Sequence, residues 1–231
     1  MRERAITLVI ITLLTAACNA EPDVTSTSAP PVTTTTTTTT ASTTTTTEVE
    51  VPNGYEPVEI EGENIRLALP DSWVTVDLTR EGWEELLAEG LAAIPAASEL
   101  VSDEGQAIIG QGGLLLAYDF EHQNDDFVTN LNILSADRGP LDDPEVILSV
   151  LTEQLEQIGV VDAAVDLVEV PMGAAIRVSY GLPPETGFTH KTVQYYVFGP
   201  GTVYIVTFST KDLVDLEIVF ETVMSTFDAI D

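Results

Sequence analysis

A threonine-rich tract near the N-terminus limits which part of this chain can fold. From Thr25 to Thr47 the sequence consists of threonine, serine, alanine and proline with a single valine. Such a segment has almost no apolar area to bury, so nothing offsets the backbone entropy lost on folding. Threonine is stiff and Pro30-Pro31 favours an extended backbone, so we expect a disordered stalk over residues 18–50. Its reach is at most about 100 Å at about 3.1 Å per residue, and the packed domain is expected in residues 51–231.

The segment before the stalk has the features of a cleaved export signal. Arg2 and Arg4 give it a positive start. The apolar run over residues 5–17 is too short to cross a bilayer, which needs roughly 20 residues. The run ends at Cys18, the single cysteine of the chain, so no intramolecular disulfide can form. We predict a signal peptide over residues 1–17.

The sequence around that cysteine, Leu14-Thr15-Ala16-Ala17-Cys18, resembles the lipobox of bacterial lipoproteins. The resemblance implies that the sulfur of Cys18 takes a diacylglyceryl group and that Cys18 becomes the mature N-terminus. The protein would then be anchored to the cell membrane by lipid and face outside. Thr15 departs from the pattern, because leucine is usual at that position. Cleavage after Ala17 or Ala20 is the alternative, and it would give a freely secreted protein.

The charge of the mature chain excludes some classes of partner. Removal of residues 1–17 leaves 6 lysines and arginines against 37 aspartates and glutamates. Binding to nucleic acid relies on neutralising phosphates with basic side chains, so nucleic acid is not an expected partner. The same charge argues against the domain lying flat on an anionic bilayer. A surface this negative is typical of a soluble surface domain, of a protein in a salty medium, or of one that binds cations loosely.

Hydrophobic periodicity predicts the elements of the domain. Strands are expected over residues 64–69, 73–76, 114–120, 127–134, 165–170, 175–180, 190–198 and 202–208. The second of these is expected to turn back and pair with the first. Helices are expected over residues 83–94, 96–109, 142–158 and 212–227. Because hairpins dominate the connections, we predict an α+β fold with a mainly antiparallel β-sheet covered by helices on its faces, an α/β/α sandwich.

Two short motifs stand out: Ile65-Arg-Leu-Ala-Leu-Pro-Asp-Ser-Trp73, and the run from Gln194 to Ser209 with the helix ending at Phe227. The first resembles the opening strand of the PsbP-like superfamily, which includes PsbP, Mog and LpqN-type proteins, and the second resembles its closing hairpin and helix. With the lipobox and stalk, the chain looks most like the actinobacterial LpqN-type lipoprotein branch. The resemblance implies a PsbP-like fold without a shared catalytic apparatus, so it assigns no site residue, and Trp73 is expected in the core.

Sequence motifs for catalysis are scarce. An acidic stretch between two strands contains Asp119, Glu121, His122, Asn124, Asp125 and Asp126. It is rich in oxygen ligands but lacks the spacing of a calcium loop, so we expect a solvated turn. Only His122 and His190 are available for zinc or triad chemistry, and no nucleotide or hydrolase motif is present. We therefore expect no catalytic residues, no metal and no cofactor.

The sequence predicts a non-enzymatic binding or accessory module of the cell envelope. Its partner would be an envelope protein, or an apolar ligand such as a lipid held between sheet and helix. Four aromatic side chains are candidates for lining such a site, with core packing as the alternative role: Tyr180, Tyr195, Tyr196 and Phe198. A cation-dependent hydrolytic enzyme using the acidic 119–126 loop is the alternative function.

Overall fold

The computed structural model describes residues 50–83, 85, 112–124, 127–138, 144–182, 190–211 and 213–230. The chain divides into two units, Met1–Glu48 and Val49–Asp231, and all of the described residues belong to the second. The predicted signal peptide, Cys18 and nearly all of the predicted stalk lie outside them. The helix predicted over residues 96–109 also lies outside them, and of the one predicted over 83–94 only residues 83 and 85 are described, both helical.

The main sheet has seven strands, all antiparallel to their neighbours, in the order β3-β4-β5-β9-β8-β7-β6. These strands are β3 Val74–Asp77, β4 Gly113–Asn124, β5 Phe127–Asp137, β6 Val161–Val170, β7 Gly173–Gly181, β8 Lys191–Phe198 and β9 Thr202–Thr210. Short hairpins join most of them, which confirms the prediction of an antiparallel α+β fold.

A second, three-stranded sheet has the order β1-β2-β10 and is antiparallel throughout. Its strands are β1 Tyr55–Ile60, β2 Ile65–Pro70 and β10 Asp228–Ala229. The short β10 is held on β2 by backbone pairing and by an ion pair in which Arg66 lies 3.3 Å from the carboxylate of Asp228. The C-terminal residues therefore close onto the first hairpin of the domain.

Two described helices accompany the sheets, α1 over Pro144–Ile158 and α2 over Leu213–Met224. α1 begins at a proline, which suits the first helical turn, and ends before Gly159 at φ 70°. α1 packs along β6 and β7, and α2 packs on β2 and β9. In the part of the chain that the structure describes, no helix is long and apolar enough to cross a membrane.

The core lies between the main sheet, α2 and the small sheet. Phe220 of α2 stacks on Phe208 of β9, with ring centroids 4.3 Å apart. Trp73 is buried in the same cluster, as expected, together with Leu69 of β2 and Val193 of β8. The order of apolar positions on each element follows from this arrangement, because each element buries one stripe or face against the others.

The pairing predicted for the first strands was wrong. β3 does not return along β2; it joins the edge of the main sheet beside β4, where Val74 faces Tyr118. The partner of β2 is β1, which the sequence analysis did not predict. Pro57 interrupts the pattern of β1, and proline is tolerated there because β1 is an edge strand of its sheet.

Candidate functional site

The central strands of the main sheet bury side chains on both of their faces. One face packs against α2 and the small sheet, and we call it the core face; Val193 and Phe208 lie on it. The opposite face, here the far face, carries the residues that alternate with these along each strand. Tyr196 and Leu134 on the far face are also buried. Both faces of the sheet therefore lie away from solvent in its middle strands.

Polar side chains meet at the centre of the far face. Asn132 of β5 lies opposite Thr207 of β9, and Thr207 lies opposite Gln194 of β8. The next row pairs Ser209 of β9 with Thr192 of β8. All five side chains are buried. We call this group the polar patch: Asn132, Thr192, Gln194, Thr207 and Ser209.

Hydrogen bonds join part of the polar patch to the tyrosines beside it. The Nε2 amide of Gln194 donates to Oγ1 of Thr207 over 3.2 Å, and the hydroxyl of Tyr196 donates to Oε1 of Gln194 over 3.2 Å. Tyr180, which faces Thr192 across the β7–β8 pair, has a side-chain hydrogen bond with it. These bonds hold one side of the patch in a defined orientation.

Asn132 is the exception within the patch. Its side chain is 3% exposed, and its Oδ1 has no hydrogen-bond partner among the residues that the structure describes. A buried carbonyl oxygen without a donor costs about 1–3 kcal/mol relative to a satisfied one. Native proteins keep few such groups, and those that they keep need an explanation. An acceptor of this kind at the centre of a polar patch is suited to a hydrogen-bond donor on a ligand.

Aromatic and aliphatic residues surround the polar patch. Tyr118 lies beside it on β4 and stacks on Phe120, with ring centroids 6.0 Å apart. Tyr180 and Tyr196 flank it on β7 and β8, and Ile205 and Leu134 occupy the next row of the far face. The arrangement is a small polar centre within an apolar surface, which is typical of sites that bind small apolar molecules and orient them by a few hydrogen bonds.

Burial keeps the two flanking tyrosines neutral. Burial raises the pKa of Tyr196 well above its usual value of 10. Burial also raises the pKa of Tyr180, with a further contribution from Tyr196, while the hydrogen bond with Thr192 acts in the opposite direction. Both hydroxyls therefore stay protonated and available as donors at neutral pH.

We expect the domain to lose stability in alkaline solution. Because the folded state raises these pKa values, the stabilisation is complete below about pH 10 and is lost as the pH rises above it, where only unfolded tyrosines ionise. Tyr196→Phe should flatten the slope of unfolding free energy against pH by up to about 1.4 kcal/mol per pH unit. Urea unfolding at successive pH values measures this, and an unchanged slope in the variant would contradict it.

The structure separates the four aromatic residues that the sequence analysis grouped as candidate linings. Tyr180 and Tyr196 lie at the polar patch. Tyr195 lies on the core face, where its ring meets Phe208 edge-on with centroids 6.1 Å apart. Phe198 lies at the end of β8, beneath the guanidinium of Arg138 at 5.5 Å from its ring centroid. Neighbouring residues on a strand point to opposite faces, so Tyr195 and Tyr196 do not line one site.

Sequence reasoning missed most of the polar patch. No site role was predicted for Asn132, Gln194, Thr207 or Ser209. Alternation of polar and apolar residues is typical of a strand with one solvated face. The available signal was that polar residues alternate along β5, β8 and β9. Their alignment into one patch can be seen only when the register of the three strands is known.

Asp119 is the member of the acidic stretch whose carboxylate contacts the structure describes. Asp119 is buried and lies in the middle of β4. Its Oδ1 accepts the backbone N–H groups of Glu121 and His122 over 3.0 and 3.2 Å, and its Oδ2 lies 2.6 Å from Nδ1 of His122. Both oxygens are therefore engaged within their own strand, while Asp125 and Asp126 lie outside the described residues.

Histidine and acidic side chains do not cluster elsewhere in the described ranges. No group of three or more His, Cys, Asp or Glu side chains there is placed to hold a metal ion. His190 is half-buried and stacks on Phe127, with ring centroids 5.1 Å apart. Burial lowers the pKa of His190, and the charge of Lys211 lowers it further. This histidine is part of a packed contact beside the last hairpin.

Three solved structures are similar to the described domain. Cyanobacterial PsbP (CyanoP) from Synechocystis sp. PCC 6803 has 10% identity, with 76% of this chain and 92% of that one covered and a TM-score of 0.45. LpqN of Mycobacterium tuberculosis, involved in cell envelope biogenesis, has 11% identity, 77% and 91% coverage and a TM-score of 0.46. The Ran-binding protein Mog1p of Saccharomyces cerevisiae has 10% identity, 77% and 96% coverage and a TM-score of 0.44.

These similarities concern the fold alone. The domain is similar to these structures in fold. The LpqN-type branch stays a prediction, and no residue role is carried over from any of these proteins. No protein-family profile matches the chain, and no curated protein sequence matches it.

Proposed function

We propose that the chain is a lipid-anchored lipoprotein, tethered through Cys18 and facing outside, whose domain is a non-enzymatic binding module of the cell envelope. Its ligand is an apolar molecule with a hydrogen-bond donor, held against the far face of the main sheet. The observation that carries the binding proposal is the unsatisfied Oδ1 of the buried Asn132 within the polar patch. The anchor, the stalk and the LpqN-type branch rest on the sequence motifs.

The chemistry of the polar patch favours recognition over catalysis. Its members are amides and hydroxyls, and none of them changes protonation near neutral pH. The tyrosines beside it have raised pKa values, so they donate hydrogen bonds and do not act as bases. General acid–base catalysis needs a group whose pKa lies near the operating pH. The patch supplies orientation and a hydrogen-bond acceptor to a bound molecule.

The geometry also indicates which ligand atoms the patch would meet. Oδ1 of Asn132 accepts, so the ligand presents an N–H or O–H there. The surrounding Tyr118, Leu134 and Ile205 present apolar surface, so the rest of the ligand is apolar. A molecule with one polar end and an apolar body satisfies both requirements. Amphipathic molecules of the envelope belong to this class.

A fluorescent probe tests this proposal. N-phenylnaphthylamine is an apolar molecule with one N–H donor, and we expect saturable binding to the full-length protein in detergent. Asn132→Leu should weaken binding about tenfold, or about 1.4 kcal/mol, because the acceptor is lost. The same variant should not lower the free energy of unfolding, since it removes an unsatisfied polar group and keeps the volume.

A matched variant and a matched probe complete the design. Thr129 lies on the same strand as Asn132 and is equally buried, at 2% exposed, but faces the core. Thr129→Val should leave probe binding unchanged. The N-methylated probe, which lacks the donor, should bind the wild type and Asn132→Leu with equal affinity. Equal affinity of the N–H probe for the wild type and Asn132→Leu would overturn the proposal.

A further inference from the structure

The outer side of β6 is an open sheet edge. β6 is the last strand of the main sheet, and it pairs on one side with β7. No strand among the described residues pairs with its other side. An edge strand presents unpaired backbone N–H and C=O groups, which form a template for another extended chain. The opposite edge, β3, has only four residues, whereas β6 has ten.

The regular part of β6 is long enough to accept a strand. A register shift between Val161 and Ala164, with Asp162 at φ 53°, distorts the first residues. From Ala164 to Val170 the pairing with β7 is continuous over seven residues. Bulges are a device that blocks edge pairing, and the pairing of this segment with β7 has no register shift. Leu167 there is 56% exposed, which leaves an apolar side chain for contact beside the backbone.

The charge of this segment indicates the charge of the partner that it would bind. Asp166 and Glu169 are exposed on opposite faces of β6, and the strand contains no basic residue. Arg177 lies opposite Asp166, but its guanidinium is paired with Glu217 of α2 at 2.5 Å. The one arginine opposite Asp166 is thus already paired with another carboxylate. The edge is negative as well as open.

The same charge argues against a second copy of this chain as the occupant. Pairing of two β6 strands would bring Asp166 and Glu169 of each copy close to those of the other, and like charges on adjacent strands destabilise pairing. The whole chain also has a net charge of -30. We propose that the edge of β6 binds an extended cationic polypeptide segment by strand addition. Backbone hydrogen bonds supply affinity, and basic side chains on both faces of the added strand meet Asp166 and Glu169.

A short peptide tests this inference on the full-length protein. The acetylated and amidated peptide Lys-Val-Thr-Lys-Val-Thr-Lys presents lysines on both faces when extended. We expect saturable binding at low ionic strength, with amide NMR shifts concentrated on Ala164–Val170. The same peptide with alternate amides N-methylated keeps its charge but loses donors, and it should bind at least about tenfold more weakly. A peptide with glutamate in place of each lysine should not bind.

Charge variants separate strand addition from general attraction. Asp166→Asn with Glu169→Gln should weaken peptide binding about tenfold. Glu153→Gln with Glu156→Gln, which removes two exposed charges from α1, should change it less than twofold. Equal binding of the N-methylated peptide would overturn the inference in favour of charge attraction alone. Self-association of the protein, abolished by the same β6 variants, would overturn it in favour of a second copy.

Discussion

Replacing Cys18 with serine should move the protein from the membrane fraction to the culture medium. The anchor proposed for this chain is a diacylglyceryl group on the Cys18 sulfur, and serine has no thiol to accept it. Each buried methylene of an acyl chain contributes about 0.8 kcal/mol, so two chains retain a protein stably at a membrane. Without them, a mature chain with 37 acidic side chains has no attraction to an anionic bilayer. The intact mass and the N-terminal peptide mass of the wild type would show the adduct directly.

A second variant addresses the departure from the lipobox pattern. Thr15→Leu restores the usual residue three positions before the cysteine, and we expect it to keep the protein in the membrane fraction. Wild-type protein found unmodified in the medium, cut after Ala17 or Ala20, would disprove lipid anchoring. The proposal for ligand binding by the domain would survive that result, because it rests on the far face of the main sheet.

Replacing Phe220 with alanine should destabilise the domain by about 3–5 kcal/mol. Phe220 is 1% exposed and stacks on Phe208, with ring planes 22° apart. This contact joins α2 to β9, so the cavity left by truncation lies at the centre of the core. Domains of this size are stable by only about 5–15 kcal/mol. Urea unfolding followed by circular dichroism would measure the loss as a lower midpoint with a similar slope.

A neighbouring residue of the same helix provides the control. Ile218 lies on the outer face of α2 and is 70% exposed. Ile218→Ala should change the free energy of unfolding by less than about 0.5 kcal/mol, because it leaves no buried cavity. If both variants lost the same stability, α2 would not be packed through the face that carries Phe220.

The binding site and the sheet edge proposed for this domain are independent surfaces. The polar patch lies at the centre of the far face, on β5, β8 and β9, whereas the proposed peptide site is the outer edge of β6. Asn132→Leu should therefore leave peptide binding unchanged, and the β6 charge variants should leave probe binding unchanged. Failure of one proposal does not affect the other.

Local sequence determined most of the secondary structure. The helix predicted over residues 142–158 is α1, which buries Ile147, Leu151 and Leu155 at helical spacing and ends before Gly159. Alternation predicted the strands of both long hairpins, and the structure extends β4 and β5 beyond the predicted residues. These patterns are informative because each element buries one of its own faces. The apolar residues of that face therefore recur along the sequence with the period of a helix or a strand.

Pairing and burial were decided by the tertiary structure. β3 joins β4 and leaves β2 to β1 and β10, because strand choice depends on which apolar faces meet after the chain has turned. Polar residues alternate along β5, β8 and β9 in a pattern typical of strands with one solvated face, yet Asn132, Gln194 and Thr207 are buried. Periodicity shows that a strand has two different faces, but it does not show what covers each of them. The sequence by itself thus determined most of the elements, and only the assembled sheet brought together the residues of the polar patch.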